Sequence, residues 1–275
     1  MLKRFYILKS FFRFYFAAKT KYRIHSPFVF EFVNNILEDN RTYYAYSSVE
    51  SLRKLLKHDK KVLNIQDFGA GSLTTKSNKR TVKSIASTSL SSPSSCKILF
   101  RIVNHFKPDT IIEVGTSLGI STLYHHFAAL NARLITLEGS DEIAKYAERN
   151  FERLEATCIE LIRGNFDKTL SIALNKITKL DYLFLDGNHL IAPTLSYFEK
   201  CLEFAHEDSI FVIDDIYWSK EMTEAWQKIK DHPKVTLSID LFFMGLVFFR
   251  KEHKVKEHFQ LIKSSWKPWE MGFFN

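Results

Sequence analysis

The residues of this chain best suited to chemistry follow short apolar runs. The stretch Glu113-Val114-Gly115-Thr116-Ser117-Leu118-Gly119-Ile120-Ser121 leaves one such run and enters a helical pattern. Gly115 allows a tight turn there, Gly119 a close approach of a ligand to the backbone, and Ser121 can satisfy free amides at the helix start. Each glycine also has a plainer reading as a turn. The spacing is GxxxG rather than GxGxxG, and no GK[ST] follows, which argues against NAD and ATP phosphate loops. Glu138 closes the next run, with Gly139 behind it. An acid at that place either accepts hydrogen bonds from both hydroxyls of a ribose or stands as a solvated strand end. Gly164-Asn165-Phe166 closes a third run, where an amide and a ring can hold an adenine or simply satisfy a loop.

These residues need elements to position them. From about residue 97, apolar runs at 110–114, 134–137, 158–162, 182–185 and 210–213 alternate with helical patterns over 120–130, 142–154, 166–177, 193–205 and 221–230. Such alternation predicts right-handed crossovers and a parallel sheet covered on both faces. The runs at 235–239 and 245–249 lie too close together for a crossover helix, so they pair as an antiparallel edge hairpin. The expected fold class is therefore α/β, a doubly wound (Rossmann-like), mostly parallel seven-stranded sheet with a mainly helical N-terminal extension. Open sheets of this kind bind ligands outside the carboxyl ends of their strands.

Four segments follow from this reading: a helical, aromatic-rich cap at 1–60, a hairpin or lid-like insertion at 61–95, the α/β domain at 96–252 and a tail at 253–275. In the cap, Phe5, Leu8, Phe12 and Tyr15 or Phe16 recur at helical spacing among basic residues. That stripe packs on the main domain or a dimer partner, or lies on a membrane surface as a basic amphipathic helix. Ser26-Pro27 can start a second helix over 28–37, and Ser47 or Ser48 a third reaching residue 57. The Gly-Ala-Gly stretch at 67–72 is set aside as a phosphate loop, because 73–80 has no apolar helical face. The serine-rich run 84–95 reads as loop.

Composition bounds the function. The three cysteines lack motif spacing, which excludes a disulfide framework and a cysteine zinc site and agrees with a reducing, cytoplasmic setting. Cys158 and Cys201 fall in apolar segments and read as core. Residues 1–16 show no signal-peptide pattern, and the longest apolar run, 241–249, is too short to span a bilayer. The net charge of +8 permits nucleic acid or an anionic membrane as partner, yet no nucleic-acid motif accompanies it.

Taken together, 113–121, Leu137-Glu138-Gly139, Gly164-Asn165 and Leu185-Asp186-Gly187 resemble the successive cofactor motifs of class I S-adenosylmethionine-dependent methyltransferases. Within that class the likeness is to small-molecule O-methyltransferases of the catechol and caffeoyl-CoA type and their bacterial relatives. It covers about residues 97–250. The resemblance implies S-adenosyl-L-methionine held by Glu113, Gly115, Thr116, Ser117, Gly119, Ser121, Glu138, Gly139, Asn165, Phe166 and Asp186. It also implies a Mg²⁺ or Ca²⁺ site at Asp186, Asp214 and Asp215, with Asp215 standing where those enzymes carry Asn. Three carboxylates repel one another unless a hard cation joins them, although the same acids can cap helices or touch ribose. His189 lies three residues beyond Asp186, where metal-dependent relatives often carry a catalytic lysine. It can act with Asp186 as general base on a hydroxyl, or be a hydrogen-bonded loop histidine. Tyr217 and Trp218 can wall an aromatic pocket or pack in the core.

The implied reaction is methyl transfer to a small-molecule hydroxyl, in a protein that can form a homodimer. The rival readings are a metal-free methyltransferase of protein or RNA, and a non-catalytic cofactor-binding or membrane-surface module.

Overall fold

Leu2–Ala17, sixteen residues without an acid or a proline, form the first helix, α1. The computed structural model describes residues 2–65, 79–252 and 255–271. They fall into two compact units: Thr42–His206, and Met1–Arg41 with Glu207–Asn275. These units divide the chain at other places than the four segments read from the sequence. Residues 1–41 part from the rest of the 1–60 segment, and residues 207–252 from the rest of the 96–252 segment.

In the discontinuous unit, α1 buries Phe14, which packs with Ala18 and Ile262. Phe11 sets its ring edge-on to Phe242 at 5.1 Å, and the Tyr6 hydroxyl donates to Thr223 Oγ1 at 2.8 Å. The stripe Phe5, Leu8, Phe12 and Phe16 faces outward. The opposite face of α1 is the one that meets residues of the 96–252 segment, through Phe11 on Phe242 and Tyr6 on Thr223. Helix α2 (Pro27–Phe32) starts at a proline and runs on into a π-helical stretch, Val33–Leu37. Ser26 precedes it without a side-chain capping bond.

The continuous unit begins with α3 (Tyr44–Leu56), whose Tyr46, Val49, Leu52 and Leu56 recur at helical spacing and are buried. Strand β1 (Val62–Asn64) pairs antiparallel with β2 (Lys79–Thr81), the expected hairpin. The 67–72 stretch lies outside the described residues. Beyond the hairpin the loop expectation for 84–95 fails, because Val82–Thr88 is helix α4. Thr81 caps it by accepting from the Ser84 amide, and Val82, Ile85 and Ala86 bury one face. Serine content masked three apolar residues at helical spacing. Helix α5 (Pro93–Phe106) follows, with the Ser92 side chain accepting from the Ser95 amide at 3.1 Å.

Then come β3 (Thr110–Val114), α6 (Ile120–Ala128), β4 (Arg133–Glu138), α7 (Asp141–Arg153), β5 (Ile159–Arg163), α8 (Phe166–Leu174), β6 (Tyr182–Leu185) and α9 (Ile191–Leu202). The four strands β3 to β6 are parallel, in the order β6-β3-β4-β5, with Ile112 opposite Ile135 on one side and Leu183 on the other. The chain steps outward from β3 to β5 and then returns to the far side of β3. The carboxyl end of β3 is thus a switch point in strand order, where such sheets bind ligands. One core cluster joins α3, α4, α6 and α7 through Leu52, Ile85, Leu123 and Ala147, so residues 42–65 and 79–92 are built into this unit. Cys96 and Cys201 are buried, whereas Cys158 is exposed just ahead of β5, correcting its reading as core.

The discontinuous unit resumes with β7 (Ile210–Asp214), α10 (Lys220–Asp231), β8 (Leu237–Asp240), β9 (Met244–Phe248) and β10 (Glu257–Gln260). Their order is β10-β8-β9-β7. The β7/β9 and β8/β9 pairs are antiparallel, and β10 is parallel to β8. The expected hairpin is therefore present but does not form the edge, because β10 lies outside β8. That strand adds one to the expected seven and takes part of the supposed tail into a sheet. The C-terminal stretch also holds the N-terminal one. Lys267 Nζ donates to the Ala18 carbonyl at 2.5 Å, and Thr20 Oγ1 donates to Glu270 at 2.8 Å. Among the described residues, no helix is long and apolar enough to cross a membrane.

Candidate functional site

At the end of β3 the loop closes over a buried acid. Glu113 is fully buried, and its carboxylate accepts from Ser121 Oγ at 2.6 Å, Thr122 Oγ1 at 2.5 Å and Thr136 Oγ1 at 2.8 Å. Burial pushes its carboxyl up to about 7, against the pull of those three hydroxyls. His125 Nδ1 lies 3.7 Å away, and burial pushes that imidazole down to about 3. Glu113 and Ser121 were expected to touch a cofactor. The structure turns both inward, where they tie the end of β3 to the first turn of α6 and to β4. Thr116 joins this layer through its hydroxyl, 2.6 Å from that of Thr136.

The glycines divide by what their bare faces meet. A Cβ on Gly115, at φ +106°, would lie 2.4 Å from the Asp186 carbonyl oxygen. Only glycine allows the ends of β3 and β6 to come that close. A Cβ on Gly119, at φ +83°, would meet the Phe151 ring at 2.4 Å. The absence of a side chain there lets the loop pack on α7. Gly187 is held bare by the Phe166 ring, 2.7 Å from where its Cβ would sit.

Glu138, at the end of β4, is 8% exposed and receives two backbone amides, Ser117 N at 2.8 Å and Ser140 N at 2.9 Å. Ser117 reaches it from a left-handed conformation, φ +49°. The β3 loop and the β4 acid are therefore one construction, with the half-buried Gly139 between Glu138 and Ser140. Asn165 caps α8, its Oδ1 accepting from the Asp167 amide at 2.8 Å, and this helix-start duty is a role the sequence reading left open. Phe166 is half-buried and sets its ring edge-on to Tyr197 at 6.4 Å.

Asp186, just past β6, donates its amide to the Val114 carbonyl at 2.9 Å. Its carboxylate has Ser91 Oγ at 3.4 Å and His189 Nε2 at 3.7 Å. Sequence reasoning missed Ser91. It is fixed from below by Arg53, whose Nη1 donates to the Ser91 carbonyl at 2.8 Å while its Nε donates to Glu50 at 3.0 Å. Arg53 is 3% exposed, and a buried arginine within α3 was the available signal.

Asp214 and Asp215 belong to the discontinuous unit. Asp214 ends β7 and is buried, and Asp215 takes a left-handed turn (φ +53°) whose amide donates to the Phe243 carbonyl at 2.8 Å. The Lys3 ammonium lies 3.4 Å from the centre of the Trp218 ring, and burial lowers its pKa, with the Asp215 charge opposing part of that shift. Among the described residues, no group of three or more His, Cys, Asp or Glu side chains is arranged to hold a metal ion. Asp186 belongs to the continuous unit and Asp214 and Asp215 to the discontinuous one, where the Lys3 ammonium gives Asp215 a counter-charge. Tyr217 stacks on Phe242 at 5.1 Å and donates to Asp240 Oδ2 at 2.6 Å, so it serves that unit's own packing.

Residues 112–216 match a family model described as a methyltransferase domain. The chain is 28% identical over 130 residues to a catechol O-methyltransferase of Niastella koreensis, covering 46% of this chain and 57% of that protein. It is likewise 28% identical over 127 residues to an O-methyltransferase of Aspergillus hancockii, covering 45% and 49%. The chain thus spans about half the length of the curated relatives it matches. A crystal structure of a Podospora anserina methyltransferase with bound SAH shares the fold, with a TM-score of 0.57 at 14% identity, over 78% of this chain and 92% of that one.

Proposed function

We propose that this chain carries a class I S-adenosylmethionine-dependent methyltransferase domain related to the O-methyltransferases, and that it methylates a hydroxyl oxygen of a small-molecule acceptor. One observation carries the reading. The amides of Ser117 and Ser140 converge on Glu138, beside a Gly115 whose bare face lies against the Asp186 backbone. A pre-set carboxylate at a strand-order switch suits a ribose diol, and the missing Cβ lets the ends of β3 and β6 close together beside it. Asn165 Nδ2 and the Phe166 ring are the groups suited to the adenine.

The cofactor supplies a methyl group on a sulfonium sulfur. The chain's task is to hold that methyl in line with an acceptor oxygen and to free the oxygen of its proton. His189 takes the hydroxyl proton at a ring nitrogen, and Asp186, 3.7 Å from Nε2, stabilises the imidazolium that forms. With the cofactor bound, the oxygen's electron pair would form the new C–O bond as the C–S bond breaks, and the sulfonium would leave as a neutral thioether. A separation of 3.7 Å before substrate binds is ordinary for a pair that tightens in the reacting complex.

Calorimetric titration with S-adenosylhomocysteine tests the premise. The wild type should bind, and Glu138→Ala should bind roughly tenfold to hundredfold more weakly, the range for hydrogen bonds to a charged group. No heat at millimolar ligand would remove the cofactor assignment.

A further inference from the structure

The apolar stripe of α1 is the surface feature that methyl transfer does not explain. Phe5, Leu8, Phe12 and Phe16 are 68%, 53%, 51% and 77% exposed, and their spacing places them on one face of a single helix. Helical periodicity sets Arg4 along one side of that stripe and Lys9 and Arg13 along the other, all three exposed. No acid occurs in the helix. The helix cannot roll to hide the stripe, because its opposite face is engaged. Phe14 is buried, Phe11 packs on Phe242, Tyr6 bonds to Thr223 and Lys3 lies on Trp218. Trp266, 53% exposed, has its ring centre 6.1 Å from that of Phe11 and extends the exposed aromatic surface of the same unit.

We propose that α1, with Trp266, docks this protein on an anionic lipid bilayer, with the Phe/Leu stripe entering the headgroup boundary and Arg4, Lys9 and Arg13 meeting lipid phosphates. Aromatic residues between cations are the composition of an interfacial helix, and tryptophan favours the headgroup level. Charge selects the lipid over a second copy of the chain. A two-fold contact sets the same patch against itself, so cation-flanked stripes would face cation-flanked stripes with no acid in the helix to pair them. Anionic headgroups neutralise both flanks at once. The proposal stands apart from the methyltransferase reading and survives or fails without it.

Co-sedimentation of the full chain with vesicles tests it. The protein should pellet with phosphatidylglycerol/phosphatidylcholine vesicles, stay in solution with phosphatidylcholine alone, and release as salt is raised. Replacing Arg4, Lys9 and Arg13 by Gln should weaken binding roughly hundredfold, since each cation near an anionic surface is worth about fivefold. Phe12→Ser with Phe16→Ser should abolish pelleting while leaving circular dichroism and thermal unfolding unchanged, because both rings are exposed. A wild type that stays in solution with anionic vesicles would overturn the proposal. So would pelleting that survives the two serines, which would place binding elsewhere on the basic surface. A dimer by light scattering that the two serines dissociate, together with no vesicle binding, would overturn it in favour of self-association.

Discussion

Glu113 offers the sharpest check on the interior beneath the loop. Its carboxyl ordinarily titrates near 4.5 and is raised to about 7 in the folded chain, mainly by burial. A raised folded value means the native state holds a proton that the unfolded chain releases between those two limits. Stability from this group is complete below about pH 4.5, falls as pH rises, and is gone above about 7. At 1.36 kcal/mol per pH unit, the loss is roughly 3 kcal/mol. His125 works in the opposite direction over an overlapping window. Its folded value is pushed down to about 3, so its contribution is full above the ordinary 6.5 and falls as pH drops. The two slopes nearly cancel from pH 4.5 to 6.5, and a wild-type curve alone would look flat. The informative quantity is the difference between wild type and Glu113→Gln, which keeps the shape and removes the titration. Urea unfolding at half-unit steps from pH 4.5 to 8 should show the variant gaining about 3 kcal/mol relative to wild type as pH rises. Parallel profiles for the two proteins would refute this account.

Other outcomes follow from the same site and from the chain ends. Gly115→Ala places a methyl against a backbone carbonyl at positive φ and should weaken S-adenosylhomocysteine binding at least tenfold by calorimetry. Gly187→Ala, whose obstacle is the movable Phe166 ring, should be milder. His189→Ala should lower kcat by about 10²–10⁴-fold while leaving S-adenosylhomocysteine affinity near wild type, as expected when only a general base is lost. Lys267→Met removes a buried donor from the Ala18 carbonyl and should cost about 1–3 kcal/mol in urea unfolding.

Much of the α/β unit was legible because its signals are local. Runs such as Ile111-Ile112 and Leu183-Phe184 are buried on both faces, and the alternation with helices leaves few topologies open. What escaped depends on tertiary context. β10 is the four residues Glu-His-Phe-Gln, with no apolar run, and it exists because β8 offers an open edge. The strand-end residues stood out as a set, but what each one bonds to did not. A Glu-x-Gly motif reads alike whether its acid faces a ligand or three hydroxyls. Ser91 and Arg53 lie far in sequence from Asp186, and only the fold brings the Ser91 side chain to that carboxylate. The aromatic periodicity of α1 was plain, but which face turns outward is decided by Phe242 and Trp266, more than two hundred residues away.

That last separation bears on how the molecule is made. Chains emerge from the ribosome amino end first, and domains tend to fold in that order. Here residues 42–206 form their own unit, while residues 2–41 share theirs with residues from 207 onward, which are made later. Phe11, Phe14 and the Ala18 carbonyl wait for Phe242, Ile262 and Lys267, which are made near the end of the chain. During that interval the inward face of α1, with Phe11 and Phe14, lacks the cover it has in the folded chain, and the helix has aromatic side chains open on both faces.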